Sequence, residues 1–230
     1  MKTIIINEKE INIPEGWTEI TFEKFLSFSK LVRAQKTEEE LSKEYREQEM
    51  SEEVLSLQVS LDNIQFNTKI ACFWSGLDEE EIAMCSLEEV EDLIKSINFV
   101  NEQYMPIELD KFKFRDVTYT LPKPGMREQN FGTYIEAEQI EMNNKNLENG
   151  NLDILPRQVA ILCRKEGEEM GIIKDHVVDE REKLFRELDM ATVWDVAFFL
   201  LKLESQLMNS FLISLKTMEM EKLESQPKTL

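Results

Sequence analysis

The segment TIIINEKEINIPEGWTEITFEKF, residues 3–25, places two short apolar runs, a turn and a helix start in direct succession. Isoleucines dominate both Thr3–Ile6 and Ile11–Pro14, and β-branched residues of this kind are typical of strands. The polar residues 7–10 between the runs therefore predict the turn of a β-hairpin. Thr21 then offers a hydroxyl in the position that a helix N-cap requires, so a helix is predicted to follow the hairpin.

The same order of elements recurs in the second half of the chain. The segment FKFRDVTYTL, residues 112–121, predicts a hairpin with a two-residue turn at Arg115–Asp116, shorter than the turn of the first hairpin. A break at Pro124–Gly125 precedes a predicted helix from about Phe131 to Met142. We therefore expect an α+β fold that is predominantly α-helical and has two short β-hairpins. The hairpins either stay apart or meet in one small antiparallel sheet.

Two domains are the expected organisation, residues 1–105 and residues 106–230, each with a hairpin followed by helices; a single compact domain is the alternative. At 230 residues the chain can bury a substantial core in either arrangement.

The first half contains the clearest helix signals. Thr37 and Ser86 are each followed three residues later by glutamate, which predicts two capping boxes. The helix opened by Thr37 runs to about Met50 with few apolar anchors, so we expect it to lie in solvent. A long helix is predicted from Glu52 to Trp74, ended by Gly76. Residues near heptad spacing along it are Leu57, Leu61, Ile64, Thr68, Ala71 and Trp74.

The last predicted helix is the longest, from about Ala191 to Lys222, with shorter ones at 155–165 and 179–188. It would extend roughly 48 Å, longer than a compact domain of this size needs, so its second half is expected to contact a partner. Its Phe198–Phe199 pair, beside Trp194, predicts one deeply buried turn. The predicted partner-binding residues are Met208, Phe211, Leu215 and Met218.

The net charge of the chain limits the classes of partner that it can bind. The chain has 46 acidic and 27 basic residues, a net charge of −19, which repels nucleic acid and anionic membranes. Acids concentrate at 78–81 and 88–92. They could bind a divalent cation or imitate DNA, but acids also favour the first turn of a helix, and we prefer that explanation. The start at Met1–Ile4 does not lead into a long apolar run, so we expect no signal peptide and a cytosolic protein.

Residues for catalysis are scarce. Cys72 and Cys163 lie in apolar segments and are expected to be core residues, and with Cys85 they have no zinc-ligand spacing. His176 is the single histidine, and a nucleophilic pair with Cys163 would lack a third, orienting group. We therefore expect no catalytic residues, no metal and no cofactor, and conclude that the protein is not an enzyme.

The order of several short motifs resembles tail assembly chaperones and related virion-morphogenesis proteins of tailed bacteriophages. The segments that carry the resemblance are Trp17–Phe25, Phe73–Leu77 followed by Glu79–Ile82, Phe112–Tyr119, Phe131–Glu136 and Phe198–Leu201. The helix at Thr37–Met50 and the long C-terminal extension depart from the pattern.

The resemblance implies a non-enzymatic phage protein that holds apolar helical segments of a tail component, such as the tape measure, until assembly in the host bacterial cytoplasm. Two alternatives remain open at the level of sequence. The protein could be a permanent virion component, in the neck, a ring or the cargo near the portal. It could also be an acidic anti-defence protein that mimics DNA. Its partners would be phage structural proteins, with homo-oligomers possible and no direct contact with nucleic acid or membranes.

Overall fold

The computed structural model describes residues 1–48, 50–122, 135–137, 139, 140, 142, 152–168 and 173–200. The chain divides after Tyr104 into two compact units. Helices predominate and the strands form two small antiparallel sheets, which confirms the predicted α+β class. No helix in the described ranges is both long enough and apolar enough to cross a bilayer.

The first unit opens with the predicted hairpin. Strands β1 (Lys2–Ile6) and β2 (Lys9–Ile13) pair antiparallel, with Ile4 opposite Ile11. The connection is shorter than expected, because only Asn7 and Glu8 lie outside the strands, both with positive φ (47° and 62°). Positive φ at both central residues is the mark of a type I′ turn, whose twist matches that of the strands. The prediction of a longer turn was wrong.

Helices make up the rest of the first unit. They are α1 (Phe22–Arg33), α2 (Glu38–Glu47), α3 (Glu52–Ser75), α4 (Glu79–Ala83) and α5 (Leu87–Ile97), with single 3-10 turns at Trp17–Glu19 and Asn98–Asn101. The predicted caps are confirmed: the Thr21 hydroxyl accepts from the Lys24 backbone N–H, and Gly76 ends α3 with φ 75°. Helix α5 ends seven residues before the predicted Tyr104.

Aromatic side chains fill the core of the first unit. Trp74, at the end of α3, is 2% exposed, and its ring lies 5.0 Å from that of Phe28 and 5.7 Å from that of Phe99. Trp17 meets Phe99 and Phe25 edge to face. Ring pairs of this geometry add to the free energy gained from burial. The C-terminal end of α3 is therefore enclosed by α1 and by the 3-10 turn after α5.

Helix α2 is not the solvated excursion that was expected. It packs along the N-terminal half of α3, with Leu41 buried. The Tyr45 hydroxyl donates to Asp62 of α3, and the Asn63 side-chain amide donates to Glu38 Oε1 at 3.1 Å. Two polar contacts across the helix pair replace the apolar anchors that the sequence lacks.

The second unit contains a three-stranded sheet in the order β3 (Lys111–Phe114), β4 (Val117–Thr120), β5 (Arg164–Lys165). Its hairpin turn, Arg115–Asp116, repeats the φ values of the first hairpin, 47° and 62°. The two hairpins belong to separate sheets, so the alternative of one shared sheet was wrong. Strand β5 was also missed, because residues 164–165 were assigned to a helix that in fact ends at Leu162.

Two complete helices of the second unit are α6 (Leu155–Leu162) and α7 (Asp175–Phe185); residues 190–200 are also helical, as are 135–137, 139, 140 and 142. Phe185 of α7 closes the core against Tyr119, with ring centroids 4.9 Å apart. Buried Arg181 donates to the Cys163 carbonyl and to Glu168, which fastens α7 to β5. Phe199 is buried as predicted, but Phe198 is 45% exposed, so the expected burial of the whole turn was wrong.

Candidate binding surface

The acidic clusters of the first unit serve the fold. Asp78 with Glu81, and Ser86 with Glu89, form capping boxes at the starts of α4 and α5, as Thr37 and Glu40 do for α2. Helix starts therefore account for the acids of these three turns, and the described residues contain no group of three potential metal ligands.

Two of these carboxylates also hold the hairpin in place. Glu81 forms an ion pair with Lys9, and Glu89 accepts a hydrogen bond of 2.9 Å from the Asn7 backbone N–H. The Lys9 ammonium holds the pKa of Glu81 below its ordinary value, as the Asn7 N–H does for the pKa of Glu89. Both groups are thus engaged as carboxylates within the fold.

The cysteines are in states that do not favour nucleophilic chemistry. Cys163 is fully buried, and burial raises the pKa of its thiol to about 12, whereas the nucleophilic form is the thiolate. His176 is exposed, so the pair considered from the sequence has no geometric support. Cys72 is half-buried rather than a full core residue, and burial raises the pKa of its thiol as well.

The feature of the first unit that lacks a structural explanation is an apolar row on the outside of α3. Four side chains at spacings of three, four and three residues form this row, which we call the α3 stripe: Val54, Leu57, Leu61 and Ile64. Their exposed fractions are 49%, 67%, 51% and 60%. Residues at this spacing lie on one face of a helix. Large apolar side chains scattered singly are ordinary on a surface, whereas a continuous row of four is a candidate interaction site.

The α3 stripe leads into a cavity between α3 and α5. This α3–α5 cavity has a volume of about 140 Å³ and is lined by Ile64, Asn67, Thr68, Ala71, Ile82, Val90 and Ile94. A neighbouring groove of about 420 Å³ shares Asn67, Ala71 and Ile94 with it and reaches Phe28 and Val32 of α1. The stripe and both depressions therefore form one continuous, mainly apolar surface on the first unit.

A larger depression lies away from this surface, on α2, but it is poorly suited to hold a ligand. Its volume is about 570 Å³, and its walls are Glu38, Glu39, Ser42, Lys43, Arg46 and Glu47. All six residues belong to one helix and most are charged, so the depression is an open, solvated face. A ligand site needs walls from several elements and apolar surface to displace water.

Charge is absent from the middle of the α3 stripe, and the exposed Glu53 and Lys69 lie beside its two ends. Between Val54 and Thr68 the one charged residue is Asp62, which accepts the hydrogen bond from Tyr45 on the side of α3 that faces α2. The polar residues that border the stripe are Gln58, Ser60, Gln65 and Asn67. In a chain with 32% charged residues and a net charge of −19, this is an unusual stretch.

The residues predicted from the sequence as partner-binding, Met208, Phe211, Leu215 and Met218, lie outside the described residues. That prediction therefore stays a prediction. The α3 stripe was visible in the sequence as heptad spacing, but the spacing was interpreted only as a helix signal. The scarcity of charged residues between Val54 and Thr68 would have distinguished it, because a solvated helix face normally carries charged residues beside its apolar ones.

Comparison with known proteins does not assign the chain to a family. No protein-family model, no curated protein and no solved structure matches the chain.

Proposed function

We propose that this is a non-enzymatic assembly chaperone of a tailed bacteriophage, which binds apolar helical segments of a tail component in the host cytoplasm. One observation carries the proposal. The α3 stripe presents four large apolar side chains to solvent on a helix whose C-terminal end is buried in the core of the first unit. An amphipathic helix is the ligand that such a face suits, because its own residues at three and four positions apart can pack between those of α3.

The properties of the rest of the chain are consistent with a holding role. A net charge of −19 keeps complexes dispersed, since charged particles of one sign repel each other. The stripe offers four apolar side chains, far fewer than the roughly 20–30 residues on each side of a standard interface, which suits a contact that is released on assembly rather than a permanent one. The phage context itself comes from the resemblance of the sequence motifs.

Co-expression tests the proposal. The apolar segment of the tape-measure protein from the same genome would be produced with the wild-type chain or with a variant carrying Leu57→Asp and Leu61→Asp. We expect the wild type to keep the segment soluble and the variant to lose this effect, since two carboxylates would be desolvated against the client. The matched control is Ser56→Asp, which adds a charge to an exposed position of α3 outside the stripe.

Two further experiments distinguish the α3 contact from the C-terminal contact, and a chaperone from a virion component. Leu215→Asp with Met218→Asp, in the same assay, tests the contact predicted from the sequence independently of α3. Mass spectrometry of purified virions distinguishes a transient chaperone from a permanent neck, ring or cargo protein. Stoichiometric copies in the particle would contradict the chaperone, and a segment that stays equally soluble with every variant would contradict both binding surfaces.

A further inference from the structure

We propose that the α3 stripe and the α3–α5 cavity receive a single partner helix that is uncharged along its contacting side and places one large apolar side chain in the cavity. This inference rests on the proposed function and specifies the chemistry of the client. The net charge of −19 by itself would favour a basic partner, so the local surface has to be considered separately.

The charge distribution disfavours a basic partner along the middle of this face. A lysine or arginine beside Leu61 would lose water without gaining a carboxylate, because the side chains that border it are amides and a hydroxyl, and Glu53 lies at the N-terminal end of the stripe. Burial of an unpaired charge is costly, whereas amides can exchange hydrogen bonds with amides or hydroxyls of a partner. Asp62 cannot serve as the missing counter-charge, since it is half-buried and accepts from Tyr45 on the α2 side.

The cavity supplies an anchoring position. Its seven lining residues include five apolar side chains and no charged one. A cavity of this size is sufficient for a ring, since apolar cavities of about 150 Å³ accommodate benzene. Ile64 belongs both to the stripe and to the cavity wall, so a helix that lies along the stripe reaches the cavity with a side chain on the same face. Anchors of this kind dominate the binding energy of an interface.

A second copy of the chain fits this surface less well. A stable interface engages about 20–30 residues on each partner, whereas the α3 stripe has four. Two copies would also bring together two molecules with a charge of −19 each. A short uncharged helix avoids this repulsion and can place one side chain in the cavity.

The test uses the full chain and two fluorescein-labelled, 18-residue synthetic helices that carry leucine at heptad spacing and one phenylalanine. One helix has glutamine at the bordering positions and the other has lysine. Fluorescence anisotropy is measured at low and high salt. We expect the glutamine helix to bind with an affinity that changes less than about twofold with salt, because no charged pair forms at the interface.

Variants locate the contact. Leu61→Glu on the exposed stripe should weaken the glutamine helix by about tenfold or more, and Ser56→Glu should not. Thr68→Phe, which fills the cavity, should weaken it as well, whereas Thr68→Val, which leaves the volume unchanged, should not. Circular dichroism and urea unfolding check that each variant is folded. If Thr68→Phe does not fold, Leu61→Glu still tests the contact, because its position is exposed.

Each outcome has a distinct meaning. Binding of the lysine helix alone, with strong salt dependence, would overturn the inference and leave the proposed function standing. Full affinity of Thr68→Phe would remove the anchoring role of the cavity. A concentration-dependent dimer that Leu61→Glu abolishes, with neither helix bound, would assign the face to a second copy instead. If neither helix binds and the chain also fails to solubilise the tape-measure segment, the proposed function itself fails.

Discussion

The two halves of helix α3 continue one apolar spacing but lie in different surroundings. In the C-terminal half, Ala71 and Trp74 are 2% exposed and are enclosed by α1, α5 and the 3-10 turn that follows α5. In the N-terminal half, the α3 stripe continues the same face, and α2 covers only the adjacent side through Leu41 and Tyr45. The comparison teaches that one pattern can build a core where neighbouring helices reach it and leave an apolar face exposed where they do not.

The largest difference between the two halves of α3 should be in the free energy of unfolding that is lost when a side chain is truncated to alanine. Trp74→Ala removes a ring that packs against Phe28 and Phe99, so we expect the free energy of unfolding to fall by about 3–5 kcal/mol. Urea unfolding followed by circular dichroism measures it. A loss below about 1 kcal/mol would mean that the C-terminal half is not the enclosed half, since such small effects are typical of exposed positions.

Thiol reactivity should show the same contrast without perturbing the core. A cysteine introduced by Leu61→Cys should react with a disulfide reagent at pH 8 about tenfold or more faster than Cys72, because exposure and local opening control access. Burial and the nearby acids Glu79 and Asp78 raise the pKa of Cys72. Cys163, whose pKa is about 12, should react only on unfolding. Equal rates at positions 61 and 72 would show that both halves are similarly covered.

The same Cys163 thiol predicts a pH dependence that separates the second unit from α3. Its folded pKa of about 12 lies above the ordinary value of 9.0, so the stabilisation is complete below pH 9 and is lost as the pH rises from about 9 to about 12. At full ionisation the loss is up to about 4 kcal/mol. Cys163→Ala should flatten this part of the stability profile, and an unchanged profile would contradict the burial of the thiol.

Helix α2 provides a smaller test, on the covered side of the N-terminal half. Tyr45→Phe removes the hydroxyl that donates to Asp62 and should lower the free energy of unfolding by about 1 kcal/mol. Asp62→Asn is the companion change, since an amide oxygen can still accept the hydrogen bond. Amide hydrogen exchange in residues 38–47 should rise in Tyr45→Phe. Unchanged exchange there would show that the bond does not hold α2 on α3.

The smallest effect is expected on the α3 stripe itself. Leu57→Gln should change the free energy of unfolding by less than about 0.5 kcal/mol, because an exposed side chain loses little on substitution. The same substitution should reduce binding of an apolar fluorescent dye. A loss comparable with that of Trp74→Ala would show that the stripe is part of the core and would remove the main support for a binding function.

Local signals predicted much of the fold. The capping boxes at Thr37 and Ser86 and the end of α3 at Gly76 were correct, because a cap depends on a few adjacent residues. The turn at Asn7–Glu8 was misjudged because glutamate rarely adopts positive φ. Strand β5 was missed because two residues, Arg164 and Lys165, carry no periodicity and are defined by their pairing with β4.

The exposed apolar face of α3 was harder to predict for the same reason. The spacing of Leu57, Leu61 and Ile64 indicates an apolar face, but whether another helix covers it depends on where α5 lies and how far it extends, and these are tertiary properties. The exposure of Phe198 was missed similarly. Sequence periodicity predicts which residues share a face, and it does not predict whether that face is buried.

The most direct test is hydrogen–deuterium exchange of the full chain with and without the glutamine-bordered helix. Exchange would be followed in peptides that cover residues 52–66 and, separately, residues 67–76. We expect exchange to slow most in the first range on binding and less in the second, because the partner would cover the open half of α3 and reach the second range only at the cavity residues Asn67, Thr68 and Ala71. Protection confined to residues 67–76 or to the second unit, with none in residues 52–66, would contradict the assignment of the α3 stripe as the binding face.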